Sequence, residues 1–271
     1  MEVKAKVKRR KHGLTDFLVT AFKINMQAAM EYRLNFTVLA LGMFFNDLAF
    51  LVFWVIVYNN FHSINGWGFS SIIMLQAIIT IGFGFASFFL GNWNRIAVIV
   101  SQGSLDYYLT LPKPVLMHLL VTRSSFAGVG DMLFGLMLAV YLLSSSISSI
   151  PLFILLTALS TVILISFGIA IGSLIFFFGG QGELQDTFFT SILMLSTYPL
   201  SIFGGVTKII LLTIIPVGFI TGVPVIILQS FNPLYLSYMF IAAAGSVIVA
   251  YAIFKFGLRN YESGNAINVQ I

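Results

Sequence analysis

The sequence predicts an all-α integral membrane protein with six transmembrane helices, an N-terminal amphipathic surface helix and an external re-entrant helical hairpin before the last span. Three observations carry this prediction. Of the 271 residues, 59% are hydrophobic and 8% are charged, too few polar groups to cover a soluble core of this size. Several apolar runs reach the roughly 18 to 25 residues that cross a bilayer as helix. The cations, finally, gather at alternate connections, as they do in multi-pass proteins. In lipid each segment must satisfy its own backbone N–H and C=O groups, so runs of this length are helices. The alternating pattern of a membrane barrel is missing.

Taken in order, residues 1–33 form a basic cytoplasmic tail and a connecting helix. The opening MEVKAKVKRRKHG is not followed closely by the short apolar core of a signal peptide, so it is expected to stay in the mature chain. Leu14, Phe17, Leu18, Ala21, Phe22, Ala28, Ala29 and Tyr32 fall on one stripe at helical spacing, with Asp16, Thr20, Lys23, Gln27 and Glu31 opposite. Such a helix lies flat on a membrane surface, the basic block against anionic lipid headgroups at about 1 kcal/mol per cation. Positive-inside topology already accounts for that block, so nucleic acid is not an expected partner.

The transmembrane domain covers 34–257, with spans at 34–58, 70–90, 115–143, 150–178, 187–205 and 234–257, and 258–271 is a cytoplasmic tail. With both termini inside, 13 of the 14 Lys and Arg residues fall on the cytoplasmic side and Lys208 alone falls outside. The connections at 61–68 and 144–149 carry no cation, as external loops should. The apolar stretch at 206–228 is long enough to cross, but a seventh span would carry Lys255 and Arg259 outside. Pro216, Gly218, Gly222 and Pro224 interrupt its middle. Two arms of about ten residues, each roughly 15 Å of helix, reach halfway through the hydrocarbon. A re-entrant or interfacial hairpin is therefore the expectation, a kinked seventh span the alternative.

The chain carries little of the chemistry of an enzyme. No G-x-x-x-x-G-K-[ST] loop is present to cradle a nucleotide. The GGQ at Gly179, Gly180 and Gln181 follows three phenylalanines at a span end and reads as a tight turn. His12, His62 and His118 have no metal-ligand spacing. Cysteine is absent, which removes disulfides and thiolate chemistry and leaves the redox compartment open. Two acids sit where acids are costly: Asp47 in the middle of the first span and Asp131 inside the third, with Arg123 nearer the cytoplasmic end of the third. A lipid-facing charge there costs a few kcal/mol, so both acids should face the bundle interior, a water path or a partner helix. An interhelical hydrogen bond and a proton or substrate path both fit.

Between the second and third spans lies GSLDYYLTLPKP, 103–114. Ser104 suits an N-cap, Asp106 suits the positive end of a helix, and Pro112 ends it, so 105–110 should form about one and a half turns. This strut offers Leu105, Tyr108 and Leu109 as an apolar face, with Asp106 and Tyr107 beside it, all expected to be exposed.

EYRLNF at 31–36, GSLDYYLTLP at 103–112, TYPLSIF at 197–203 and GLRNYES at 257–263 together resemble the type-2 ABC (ATP-binding-cassette) exporter permeases of bacteria and archaea. The likeness covers nearly the whole chain. It implies the transmembrane subunit of an exporter in the cell (inner) membrane, paired with a second permease as a homo- or heterodimer and docked on a separate ABC ATPase. The loop helix would be the coupling helix, through Leu105, Asp106, Tyr107, Tyr108 and Leu109, with Glu183, Gln185 and Asp186 as a second cytoplasmic contact. ATP and Mg would belong to the partner ATPase, with no cofactor in this chain. A proton-coupled secondary transporter using Asp47 or Asp131 is the alternative, and a membrane-embedded lipid enzyme would need clustered acids or histidines that the sequence lacks.

Overall fold

The computed structural model describes residues 13–144, 146–180 and 182–262. The basic N-terminal block with His12, Ser145, Gln181 of the GGQ turn and the tail from Ser263 onward lie outside the described residues. The chain begins with α1 (Leu14–Glu31), α2 (Arg33–Asn60) and α3 (Phe69–Phe89), followed by short α4 (Ile96–Ser101), α5 (Leu105–Leu109) and α6 (Val115–Val121). Next come α7 (Ala127–Leu143), α8 (Ile150–Ser173), α9 (Ile175–Phe178) and α10 (Glu183–Ser196). The last helices are α11 (Gly205–Thr213), a π-helical turn (Gly218–Gly222), α12 (Val223–Gln229) and α13 (Pro233–Arg259).

Among the described residues four helical stretches are long and apolar enough to cross a membrane: Arg33–Asn60, Phe69–Phe89, Ile147–Phe178 and Pro233–Arg259. They become five if the bent pair α11 and α12, meeting at 77°, counts as one. The chain is thus a multi-pass, all-helical membrane protein with four to five candidate spans. Two of the six expected spans take another form. The run at 115–143 is split into α6 and α7 by the polar stretch Thr122, Arg123, Ser124 and Ser125. The run at 187–205 ends as α helix at Ser196 and turns at Pro199 into a 3-10 turn, Leu200–Ile202, because proline disfavours helix in the residue before it.

Both breaks pair their backbone groups, as a break inside a bilayer protein must. The Ser125 N–H donates to the Ser87 carbonyl at 2.8 Å and the Gly91 N–H to the Arg123 carbonyl at 2.9 Å, so the α6–α7 break is tied to the end of α3. At the other break the Thr221 hydroxyl, from the π-helical turn, donates to the Ser196 carbonyl at 2.9 Å.

Helix α3 is the most buried span, and α2, α7 and α8 pack around it while α13 packs along α8. Glycines on α7 explain how three helices come so close. A Cβ on Gly128 would stand 2.6 Å from the Gly84 carbonyl of α3, and one on Gly135 would stand 2.5 Å from the Thr80 hydroxyl. One on Gly130 would stand 1.9 Å from the Ala40 carbonyl of α2. Small residues at such contacts let backbones approach where no hydrophobic force drives association. By contrast α2 and α13 leave most of their apolar surface uncovered.

Helix α1 turns into α2 at Tyr32 and packs on α3 and α6. Phe22 meets the rings of Phe88 and Phe89 at 5.7 and 5.5 Å. Phe17 meets His118 at 4.7 Å, and the Asn25 amide donates to the Val121 carbonyl at 3.1 Å.

Candidate functional site

Helix α5 forms over Leu105–Leu109, close to the expected strut. Its orientation corrects the sequence reading. Leu105 is fully buried, in one apolar cluster with Trp93, Ile96, Leu119 and Phe254. Tyr108 is half-buried: its hydroxyl bonds the Thr122 hydroxyl at 3.1 Å and its ring lies 5.9 Å from that of His118. A five-residue helix resting on a bundle must turn its best apolar residues inward, since each such burial contributes about 1.5–3 kcal/mol. The free edge of α5 is instead Tyr107, 63% exposed, and Leu109, 44% exposed. Ser104 occupies the N-cap position, but its side chain makes no capping bond and its backbone is already helical. Gly103, at φ 68°, supplies the turn that precedes it.

The half-buried Asp106 faces the end of α13. The Tyr261 hydroxyl donates to its carboxylate, while the Tyr261 ring packs on Phe176 at 6.0 Å. Burial and then the Asp106 bond and charge push the Tyr261 hydroxyl up to about 12. This clasp was invisible in the sequence, where 155 residues separate the partners (261 − 106).

A cleft of about 670 Å³ is lined by the end of α4 with Gln102, by the Gly179–Gly180 turn and by the start of α10. The turn is real: Gly179 and Gly180 have φ 62° and 98°, conformations that side chains rarely adopt. Glu183 and Asp186 line the cleft and are exposed. Gln185 does not join them, which corrects its expected role. It is 2% exposed, accepting from the Ala97 N–H at 2.8 Å and donating to the Gly168 carbonyl at 3.2 Å. It staples α10 to α4 and α8. Trp93 completes that joint, fully buried between Phe189 at 4.7 Å and Phe83 at 6.0 Å, against a glycine, Gly168, that leaves room for its ring.

A line of bonds runs from α5 toward the membrane-crossing helices. Tyr108 bonds Thr122. The Asn92 amide donates to Thr122 at 3.2 Å and to the Leu119 carbonyl at 2.9 Å. The break that begins at Thr122 is tied to α3 through Ser87 and Gly91, and nine residues further along the chain (131 − 122) stands Asp131.

The structure brings the two expected acids together. The Asp47 and Asp131 carboxyl groups hydrogen-bond each other across α2 and α7. Such a bond needs a proton on one of them, because ionised carboxylates only accept. Arg123 is not part of this pair; it is exposed in the break between α6 and α7. The acids border a second cleft, about 320 Å³, with Gln76, Thr80 and Phe83 of α3 and Thr190, Leu193 and Met194 of α10 among its walls. Gln76 was not singled out by sequence reasoning; a polar residue in the middle of the apolar run at 70–90 was the available signal. Among the described residues no group of three or more His, Cys, Asp or Glu side chains is placed to hold a metal ion.

No curated protein matches the chain at a significant level. The family model described as ABC-2 family transporter protein matches residues 44–265, which takes in both clefts, the loop helix and all the long spans after the start of α2. On that match the chain belongs to the ABC-2 family of transporter proteins.

Proposed function

We propose that the chain is the permease subunit of an ATP-driven exporter in a bacterial or archaeal cell membrane, moved by a separate ABC ATPase that binds the ATP and Mg. The family supports a transport subunit that works with an ABC ATPase. The observation that carries the coupling role is α5 itself. It is a short helix anchored inward by Leu105 and Tyr108, with Tyr107 and Leu109 left exposed. An exposed aromatic–aliphatic edge suits the apolar centre of a partner surface. A helix merely resting on headgroups would carry more cations than Arg95 and Lys113.

In this reading both termini, α1, α5 and the start of α10 are cytoplasmic, as the distribution of cations favours. The six-span topology is kept by letting α6–α7 and α10 with its 3-10 turn cross as broken spans. The α11–α12 pair, bent at 77° with Lys208 on its first arm, is then the outer re-entrant hairpin. The uncovered apolar faces of α2 and α13 meet lipid and a second permease. The basic tail and α1 sit at the inner leaflet.

The test is co-purification with a candidate ABC ATPase partner. Tyr107→Ala with Leu109→Ala should weaken association by about 1–3 kcal/mol per residue, as central apolar contacts do. The permease's own melting temperature should not move. Leu105→Ala should do the reverse first, costing the permease about 2–5 kcal/mol of stability by opening a cavity. Normal ATPase binding and substrate-stimulated turnover in the double variant would remove the coupling role from α5.

A further inference from the structure

We propose that the cleft between α2, α3, α7 and α10 binds a primary ammonium group carried on an apolar body, the cation being received by Asp47, Asp131 and Gln76. The inference rests on the reading of the chain as a transport subunit and deepens it, because it names the class of cargo.

At this cleft Gln76 Oε1 has no partner, and neither Asp47 Oδ2 nor Asp131 Oδ2 accepts from any amide, hydroxyl or backbone donor. Asp131 and Gln76 are each 2% exposed. A buried acceptor without a donor costs about 1–3 kcal/mol. Such oxygens at one cleft form an arrangement that a donor from outside would complete. The walls contain no Lys, Arg or His, so no cationic side chain faces the acid pair.

The donor count selects the ligand. A primary ammonium has three N–H donors and no acceptor, matching a group of oxygens that lacks donors. Calcium takes six to eight oxygens and magnesium a near-ideal octahedron. Only two carboxylates are present, and besides the neutral Asn46, Thr80, Thr190 and Thr197 the remaining walls are Met43, Phe50, Ile79, Phe83, Leu193 and Met194. They offer apolar surface to a hydrocarbon or aromatic body, and the Phe50 and Phe83 rings suit a nearby cation. A volume of about 320 Å³ falls at the lower end of small-molecule sites. Asn46 and Thr190, exposed at its rim, give it a polar mouth.

The experiment uses the full chain in lipid nanodiscs and a matched pair of fluorescent probes: dansylcadaverine, a primary amine on an apolar ring system, and its uncharged N-acetyl derivative. The amine should bind at least about 10-fold more tightly, as a charge-assisted site requires. Asp47→Asn with Asp131→Asn should bring the amine to the affinity of the acetyl probe and leave the acetyl probe unchanged. Thr190→Lys, which tethers a competing ammonium at the mouth and leaves the acids intact, should also abolish the preference for the amine. Equal binding of the two probes to the wild-type chain, or wild-type amine binding in both variants, would overturn the site. The complex with its ATPase, reconstituted in vesicles, separates the two readings. Selective amine binding without ATP-driven movement leaves the site and removes the transport reading. Movement of other cargo with no amine preference removes the site alone.

Discussion

Replacing Gly130 by alanine tests the packing on which the carboxyl pair depends. The added Cβ would stand 1.9 Å from the Ala40 carbonyl oxygen and 2.9 Å from the Phe44 nitrogen. Ordinary contact begins near 3.4 Å, so α2 and α7 must separate by about 1.5 Å (3.4 − 1.9). The obstructing atom belongs to backbone, and no side-chain rotation relieves it. Forcing a methyl into a closed contact costs about 1–3 kcal/mol. Asp131 is the next residue, and an O–H···O bond of about 2.7 Å stretched by as much as the helices part passes the limit of hydrogen bonding. Its loss adds about 1 kcal/mol. At roughly 2–4 °C per kcal/mol for a chain of this size, the melting temperature should fall by about 4–16 °C. The control is Gly245→Ala in α13, where nothing lies within 4 Å of the new Cβ; helix propensity makes it neutral or up to about 1 kcal/mol stabilising. Both variants are measured by thermal unfolding of the purified chain in the same detergent. A Gly130→Ala protein that melts with the wild type while retaining selective amine binding would refute the close contact and the dependence of the acid pair on it.

Two other perturbations follow from the α5 end of the bundle. Gln185→Leu keeps the volume of the staple but strands the buried Ala97 N–H, at about 1–3 kcal/mol, and removes the bond to the Gly168 carbonyl. Thermal unfolding should register that loss, whereas exposed Glu183→Ala stays within about 0.5 kcal/mol. Tyr261 should ionise at about pH 12 instead of the ordinary 10, since burial and the Asp106 carboxylate favour its neutral form. The sign follows: its hydroxyl clasp is fully present below pH 10 and is lost as pH rises through about 12. Asp106→Asn should lower that value without restoring 10, because burial is the larger cause. Ring-carbon-labelled tyrosine NMR, with Tyr261→Phe to assign the signal, measures it.

The membrane class, the long spans and the loop helix were legible in the sequence because each is written locally, as runs of apolar residues or as a turn signal. The span limits agree within a few residues: 34–58 against α2 at Arg33–Asn60, and 234–257 against α13 at Pro233–Arg259. The breaks were less legible. Hydropathy averages over Thr122 to Ser125, and only the structure shows that α3 supplies partners for that backbone. The orientation of α5 was misread for a related reason. Helical spacing places Leu105, Tyr108 and Leu109 on neighbouring positions, but which side faces the bundle depends on Trp93, Leu119 and Phe254, contributed by distant segments. Gln185 looked like one more polar residue at a helix start, and its two backbone partners lie 88 and 17 residues away. The two acids were recognised by their cost in lipid, yet their mutual bond and the third acceptor at Gln76 are properties of packing.

The ties in the structure also specify which parts can move together. Glycine contacts lock α7 to α2 at Gly130 and to α3 at Gly128 and Gly135, so these three helices, which carry Asp47, Gln76 and Asp131, form one block. Helix α10 forms the remaining wall of the acid-bordered cleft, and its firmest polar tie runs through Gln185 to α4 and α8. Helix α4 leads into α5 through the turn in which the Ser104 N–H donates to the Ile99 carbonyl at 3.0 Å. A displacement of α5 therefore has two outlets: through Tyr108 and Thr122 into the three-helix block, and through α4 and Gln185 into α10. Because the two outlets end on opposite walls of the same cleft, unequal movement along them changes its width. No deformation within a helix is needed for a push at Tyr107 and Leu109 to reach the carboxyl pair.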